Sequence, residues 1–153
     1  MRIFASIDEL AASVGESLGP GPWQPIDQGR VDLFADATDD HQWIHLDAQR
    51  AAAGPYGGTI AHGFLTLSLL PALVGRLYQV RGVRMGVNYG LNRVRFPAPV
   101  RVGSAVRAVA TIAEVSPVDG GVQLVTAATV ECDAGGKPVC VAETVSRLYV
   151  ASP

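Results

Sequence analysis

One apolar segment constrains the fold of this chain more than any other feature. Residues 64–77 are apolar on almost every side when placed on a helix, and Pro71 lies in their middle. A helix of this kind has to be enclosed on most sides, and it is too short to cross a bilayer, which takes about 20 residues. We expect a central buried helix that is kinked or locally broken at Pro71, because proline has no amide hydrogen to donate.

The sequence pattern changes after this segment from helical to strand-like. Runs rich in Val, Thr and Ala predict four strands, separated by clusters of Pro, Gly, Ser and Asp. The expected strands span residues 83–96, 102–115, 122–132 and 139–150. Short connections between successive strands favour antiparallel pairing. The sequence therefore predicts a single α+β domain over residues 1–153, with an antiparallel curved sheet wrapped around the central apolar helix.

Capping residues in the first third of the chain predict three helices. Each begins at a Ser or Asp whose side chain can accept hydrogen bonds from unpaired amides. The expected helices begin at Ser6, Asp27 and Asp47, and the first and third end at Gly19–Pro22 and Ala53. Val14 should continue the apolar face of the first helix, and the second should bury a stripe of Val31, Phe34, Ala35 and Thr38.

Composition excludes several classes of function. Only 17% of the residues are charged, below the ~25% usual in soluble domains, which suggests surface buried against another subunit. Eleven of the 12 basic residues are Arg placed singly along the chain, so neither nucleic acid nor a membrane is an expected partner. The N-terminus lacks a signal-peptide pattern, and we expect a soluble, cytoplasmic protein. Cys132 and Cys140 are expected to be reduced, half-buried thiols.

All three histidines lie between residues 41 and 62, which is where chemistry near neutral pH is expected. Residues 38–47 combine three carboxylates with two imidazoles between two expected helices. A single Asp or His in a loop is more often a solvated turn or cap residue, and Asp47 keeps that interpretation as an N-cap. Asp40 and His45 are different, because an irregular loop can bring both onto one point, where they could hold and polarise a water.

A glycine-rich segment, residues 54–64, leads into the apolar helix. Its spacing matches neither a phosphate-binding loop nor a dinucleotide fingerprint, so nucleotide hydrolysis and hydride transfer are not supported. The unpaired amides at the helix start suit an anion or a developing oxyanion, and Gly63 has no side chain to keep a substrate carbonyl away. His62 is either a site residue or a group that caps the helix. No Cys or further His stands at metal-ligand spacing, so no metal is expected.

Three blocks of sequence resemble the MaoC-like hydratases, which include the (R)-specific enoyl-CoA hydratases. The blocks are Phe34–Asp47, with its Asp40 and His45 spacing; Tyr56–Phe64, with Ile-Ala-His-Gly before the central helix; and Val94–Val100. The resemblance covers most of the chain from about residue 27. It implies the hotdog fold and a homodimer in which two sheets pair edge to edge.

The resemblance also implies an activity, which is the reversible syn addition of water to trans-2-enoyl-CoA in fatty acid metabolism. The product is (R)-3-hydroxyacyl-CoA. Asp40 and His45 would hold the water, with His45 accepting its proton, and the Gly63 amide would stabilise the thioester oxyanion. His62 and Phe96 are further candidates for substrate binding, Phe96 lining the thioester channel. No cofactor is implied, since coenzyme A is part of the substrate.

Three other functions remain open for a domain of this kind. A hotdog thioesterase would direct water at the thioester carbon and release free CoA. A 3-hydroxyacyl-carrier-protein dehydratase would use the same chemistry on a different carrier. A non-catalytic acyl-CoA-binding module would bind the ligand without turnover.

Overall fold

The computed structural model describes residues 1–150 and contains helices followed by long antiparallel strands, which confirms the expected α+β order. The helices are α1 Ile7–Ala12, α2 Gln28–Thr38, α3 Trp43–Leu46, α4 Ala48–Ala52, α5 Gly63–Ser68 and α6 Leu70–Val74. The strands are β1 Arg2–Phe4, β2 Ser17–Leu18, β3 Gln24–Pro25, β4 Tyr78–Val80, β5 Val83–Arg95, β6 Ala105–Val118, β7 Gly121–Cys132 and β8 Cys140–Val150.

Six strands form the main sheet, which is antiparallel throughout. The order is β2-β6-β7-β8-β5, with β3 also paired to β6. The four long strands were expected, although β6 runs past residue 115 to Val118, so the turn before β7 is shorter than predicted. The four short strands were not expected, because two or three residues carry too little alternation to predict a strand. Among them, β1 and β4 form a separate parallel pair.

The central apolar segment is two short helices with a break between them, as Pro71 predicts. Leu69 separates α5 from α6, and Pro71 lies in the first turn of α6, where no amide donor is required. Leu65 and Leu70 on the inner side are at most 5% exposed. Enclosure on most sides is wrong for the outer side, where Phe64 is 69% exposed, because in one chain a single sheet covers only one face of the helix.

The first helix is shorter than the sequence predicts. It is capped by Ser6, whose side chain accepts from the Glu9 amide, but it ends at Ala12. Gly15 follows in the left-handed region at φ 92°, which turns the chain into β2. Val14 therefore lies outside the helix and is 50% exposed, so the expected apolar face does not continue to it.

The second and third expected helices are confirmed as α2 and α4. Asp27 and Asp47 cap them by accepting hydrogen bonds from the Arg30 and Arg50 amides at 2.8 and 2.9 Å. The buried residues of α2 are Val31 and Ala35, Phe34 is half-buried, and Thr38 is exposed. The core that these elements share with the sheet includes Leu10, Val31, Leu70, Leu73, Ile112 and Leu124.

Both cysteines are free thiols in the structure. Cys132 is half-buried as expected, whereas Cys140 is fully buried, and burial raises its pKa to about 11. The two residues do not face each other across the sheet, since Cys132 pairs with Val106 and Cys140 with Val130. Within residues 1–150, no helix has the length and apolar character that a membrane span requires.

Strand β5 forms one edge of the main sheet and has β8 as its only paired strand within residues 1–150. It is 13 residues long and exposed along nearly its whole length. Its large apolar side chains Met85, Val87, Tyr89 and Leu91 are between 40% and 58% exposed. The chain therefore presents a long apolar strand with an unpaired backbone edge.

Replacing Gly121 with alanine is expected to destabilise the fold. A Cβ at Gly121 would overlap the carbonyl oxygen of Leu148, so strands β7 and β8 would have to move apart. We expect the free energy of unfolding to fall by about 2 kcal/mol or more in urea denaturation. Gly29→Ala is the matched control, since a Cβ there meets only Asp27 at 3.6 Å and alanine should stabilise a helix by up to about 1 kcal/mol. Similar effects of the two substitutions would contradict this account.

Candidate active site

His45 lies on the short helix α3, and the backbone of another segment fixes its imidazole. Nδ1 donates to the carbonyl oxygen of Ile60 at 2.7 Å, and a carbonyl can only accept. The proton is therefore on Nδ1 in the neutral ring, which leaves the lone pair of Nε2 available. Ile60 is itself held, because its amide donates to the Ile44 carbonyl at 3.0 Å and the following amide, of Ala61, donates to Val100 at 2.8 Å.

Burial controls the protonation of His45, whose side chain is only 6% exposed. Loss of solvation lowers its pKa below the ordinary value and outweighs the Ile60 hydrogen bond, which opposes it. The neighbouring His62 lowers the pKa further, while Asp40 acts in the opposite direction. His45 is therefore neutral near pH 7 and can accept a proton.

Asp40 lies in an environment very different from that of His45. Asp39 caps α2 in the left-handed region at φ 59°, a conformation that Asp tolerates, and so turns the chain towards the site. The Asp40 side chain that follows is 55% exposed. Its carboxylate accepts a long hydrogen bond of 3.4 Å from the Gln42 amide and otherwise faces outward. A solvated carboxylate thus stands beside a buried, neutral imidazole.

His62 joins these two residues from the start of α5. It is 3% exposed, and its ring stacks on that of His45 with 3.7 Å between centroids and 24° between planes. Its Nε2 donates to the backbone oxygen of Asp40 at 2.9 Å and lies 4.0 Å from the Asp40 carboxylate. The ring thus holds Asp40 and His45 in place from behind, and it has little surface left for a substrate.

Gly63 and Phe96 are in contact with each other. Gly63 begins α5, so its amide has no intrahelical acceptor. A Cβ at Gly63 would lie 3.1 Å from the Phe96 ring. The space beside Gly63 that we expected for a substrate carbonyl is therefore occupied on that side by Phe96, which packs against the glycine and is itself 39% exposed.

Gln28 is a supporting residue that sequence reasoning missed. Its amide nitrogen donates to the backbone oxygen of His45 at 2.8 Å, and its amide oxygen accepts from the Thr59 hydroxyl at 2.7 Å. One side chain of α2 thus connects α3 to the segment that carries Ile60. A glutamine one residue after a helix cap gives no sequence signal for this role, which depends on tertiary contacts alone.

The third histidine, His41, has a separate partner. It is exposed, and its Nε2 lies 3.0 Å from the Asp36 carboxylate. That hydrogen bond raises the pKa of His41. His41 therefore belongs to a surface pair with α2 and is not part of the group formed by Asp40, His45 and His62.

Donor atoms of Asp40, His45 and His62 lie within 4.8 Å of one another, so we considered a metal at this point. A bound zinc needs nitrogen lone pairs that converge on one position about 2.0–2.1 Å away. The two imidazoles are instead stacked nearly parallel, with their lone pairs side by side. His62 Nε2 also donates to the Asp40 carbonyl. The arrangement suits the holding of a water between carboxylate and imidazole better than it suits a metal.

Comparisons with known proteins agree with this geometry. The family model described as "MaoC like domain" matches residues 9–134. The chain is 56% identical over 152 residues to 3-hydroxyacyl-thioester dehydratase Z of Mycobacterium tuberculosis, covering 99% of this chain and 100% of the relative.

Two solved structures are similar to this one. The (R)-hydratase from A. caviae involved in PHA biosynthesis has a TM-score of 0.68 and 26% identity, covering 88% of this chain and 96% of that one. A monoamine oxidase regulatory protein from Archaeoglobus fulgius has a TM-score of 0.78 and 25% identity over 99% of this chain and 98% of that one. The expected hotdog fold is confirmed. This chain belongs to the MaoC-like dehydratase family.

Proposed function

We propose that this protein catalyses the reversible hydration of trans-2-enoyl-CoA to (R)-3-hydroxyacyl-CoA. The observation that carries the proposal is the hydrogen bond from His45 Nδ1 to Ile60, which leaves Nε2 free to act as a base beside an exposed carboxylate. Relatives named for 3-hydroxyacyl-thioester dehydration and for (R)-hydratase activity support a hydro-lyase reaction on a thioester. No further cofactor is needed, because coenzyme A is part of the substrate.

In the proposed reaction, Asp40 and His45 hold one water over the β-carbon of the enoyl group. Asp40 accepts one hydrogen bond from this water and His45 Nε2 takes the other proton as the oxygen adds to C3. The same proton then returns from His45 to C2 on the same face of the chain. Net addition of water is therefore syn, and the neutral state of His45 is restored.

Negative charge develops on the thioester oxygen during this addition, and we assign its stabilisation to the amide of Gly63. One donor of this kind typically supplies about 10² to 10³ in rate. Phe96, which packs on Gly63 and remains partly exposed, would line the channel for the thioester. His62 acts as a positioning residue here, because it contacts Asp40 and His45 and is almost fully buried.

Removal of either reacting group is expected to abolish most of the activity. Asp40→Asn and His45→Gln should each lower kcat for crotonyl-CoA by roughly 10²- to 10⁴-fold, since each removes one partner of the water. The reaction is followed by the loss of absorbance of the conjugated thioester, and chiral analysis of the product should give the (R) isomer.

Two neighbouring variants serve as controls for these substitutions. Asp39→Asn changes the adjacent carboxylate and His41→Gln changes the exposed histidine paired with Asp36, so both should keep activity close to that of the unmodified protein. Full activity in Asp40→Asn and His45→Gln would refute the assignment of the site. Release of free CoA in place of a 3-hydroxyacyl product would identify a thioesterase.

The pH dependence of hydration should follow His45. The base must be neutral, and burial holds the His45 pKa below the ordinary value of 6.5. Activity should therefore be constant around neutral pH and fall only as the pH drops through this lowered pKa. The measurement is kcat/KM against pH, and an acidic limb with its midpoint above 6.5 would disagree with the structure.

We further propose that two chains pair through strand β5. A long apolar edge with unpaired backbone groups promotes association, and a second copy of the same strand can pair with it antiparallel about a twofold axis. This pairing would cover Met85 and its apolar neighbours and complete the burial that low charge content and the exposed central helix both call for.

A lysine at this edge should separate the two copies. In Met85→Lys the apolar contact is replaced by a charge that has to lose its solvation on pairing, so the sedimenting species should change from twice the mass of one chain to once. Leu33→Lys is the control, because Leu33 is 73% exposed on α2, away from β5. A monomer in the unmodified protein would disprove the pairing.

A further inference from the structure

A groove extends from the candidate site along the central helices. Its near part lies between α5, α6 and β5 and includes Leu67, Tyr89 and Leu91. It shares Leu70, Pro71, Asn88 and Thr144 with a second cavity of about 330 Å³, here called the distal cavity. The distal cavity reaches Val74, Tyr78, Thr126 and Ser146. Helix α5 begins at Gly63, so the groove leads away from the proposed oxyanion position.

The lining of the distal cavity is apolar on one side and polar on the other. The helix side presents Leu70, Pro71 and Val74, whereas the sheet side presents hydroxyl and amide groups. These polar residues are Tyr78, Asn88, Thr126, Thr144 and Ser146. No charged side chain lines the cavity. A ligand group that matches this lining is polar but neutral.

Several of these polar groups have hydrogen-bonding capacity to spare. The side chains of Asn88 and Ser146 make no hydrogen bond with another residue in the described part of the chain, and Thr144 donates only weakly, to the Thr126 carbonyl at 3.4 Å. Thr126 is 3% exposed. Burial raises the pKa of Tyr78, against the effect of the Thr126 hydroxyl, so the phenol keeps its proton and can donate. Sequestered polar groups of this kind are costly unless a partner binds them.

The position of the cavity sets the length of chain that reaches it. Pro71 and Val74 lie 8 and 11 residues after Gly63, or about 12 to 17 Å along a helical path at 1.5 Å per residue. An extended carbon chain with bonds of ~1.5 Å advances about 1.25 Å per carbon. A thioester whose carbonyl is held at Gly63 would therefore bring roughly its tenth to thirteenth carbon into the distal cavity.

We propose that the distal cavity binds a neutral oxygen, a hydroxyl or a ketone, carried near the far end of the acyl chain. The chain lies against Leu70 and Pro71, and its terminal oxygen bonds to Tyr78 and Thr126. This inference rests on the proposed function, because the reaction places the thioester at Gly63. It narrows the substrate class from enoyl thioesters in general to those with an oxygenated chain of about 10 to 13 carbons.

The test compares matched substrates in hydration. trans-2-Dodecenoyl-CoA is measured against its 12-hydroxy and 11-oxo derivatives, and crotonyl-CoA, which is too short to reach the cavity, reports the amount of active enzyme. We expect kcat/KM to favour at least one oxygenated substrate by roughly five- to tenfold, the value of one or two neutral hydrogen bonds. The preferred derivative distinguishes a hydroxyl from a ketone.

Substitutions in the cavity should remove this preference. In Tyr78→Phe and Thr126→Val the ratio of oxygenated to plain substrate should fall to about one, whereas Tyr149→Phe, which changes a tyrosine that does not line the cavity, should keep it. Because the readout is a ratio, partial loss of folded protein cancels. A ratio of one or below in the unmodified protein, or an unchanged ratio in both cavity variants, would overturn the proposal.

Binding separates this inference from the proposed reaction. If no enoyl-CoA is hydrated, the proposed function fails, but the cavity is still tested by calorimetry with saturated dodecanoyl-CoA and 12-hydroxydodecanoyl-CoA. Tighter binding of the hydroxylated ligand by roughly five- to tenfold supports the distal site. Equal affinities overturn it.

Discussion

The hydrogen bond between His45 Nδ1 and the Ile60 carbonyl is the interaction on which the site depends. At 2.7 Å it determines which nitrogen carries the proton and therefore which nitrogen can act as a base. It also joins α3 to the segment that precedes α5, so the base and the helix start that carries Gly63 are positioned together. Gln28 and His62 strengthen the same connection, one through the backbone of His45 and the other through its ring.

The contrast between the two reacting groups follows from their burial. His45 is buried, which holds it neutral, whereas Asp40 projects into solvent beside it. Two buried groups would favour a shared proton or a bound cation, and two exposed groups would leave the water unordered. His62 makes the contrast possible, because its hydrogen bond to the Asp40 backbone keeps the carboxylate close without taking it out of water.

Most of the fold could be predicted from local signals. Asp27 and Asp47 have the chemistry of helix caps and act as caps, and Pro71 breaks the central helix because its missing amide hydrogen is a property of the residue itself. The errors occur where the outcome depends on contacts distant in sequence. The end of α1, the strands of two or three residues and the exposed outer side of α5 depend on what the sheet covers, which the local sequence does not encode.

The same distinction holds at the site. The sequence by itself determined the fold class and the candidates Asp40, His45, His62 and Gly63, because residue type and spacing restrict what a loop between two helices can do. Only the tertiary structure decided that His62 supports the other two, that Phe96 fills the space beside Gly63 and that Gln28 takes part. The physical reason is that hydrogen bonding and burial depend on which segments meet, and those segments lie up to 33 residues apart between Gly63 and Phe96.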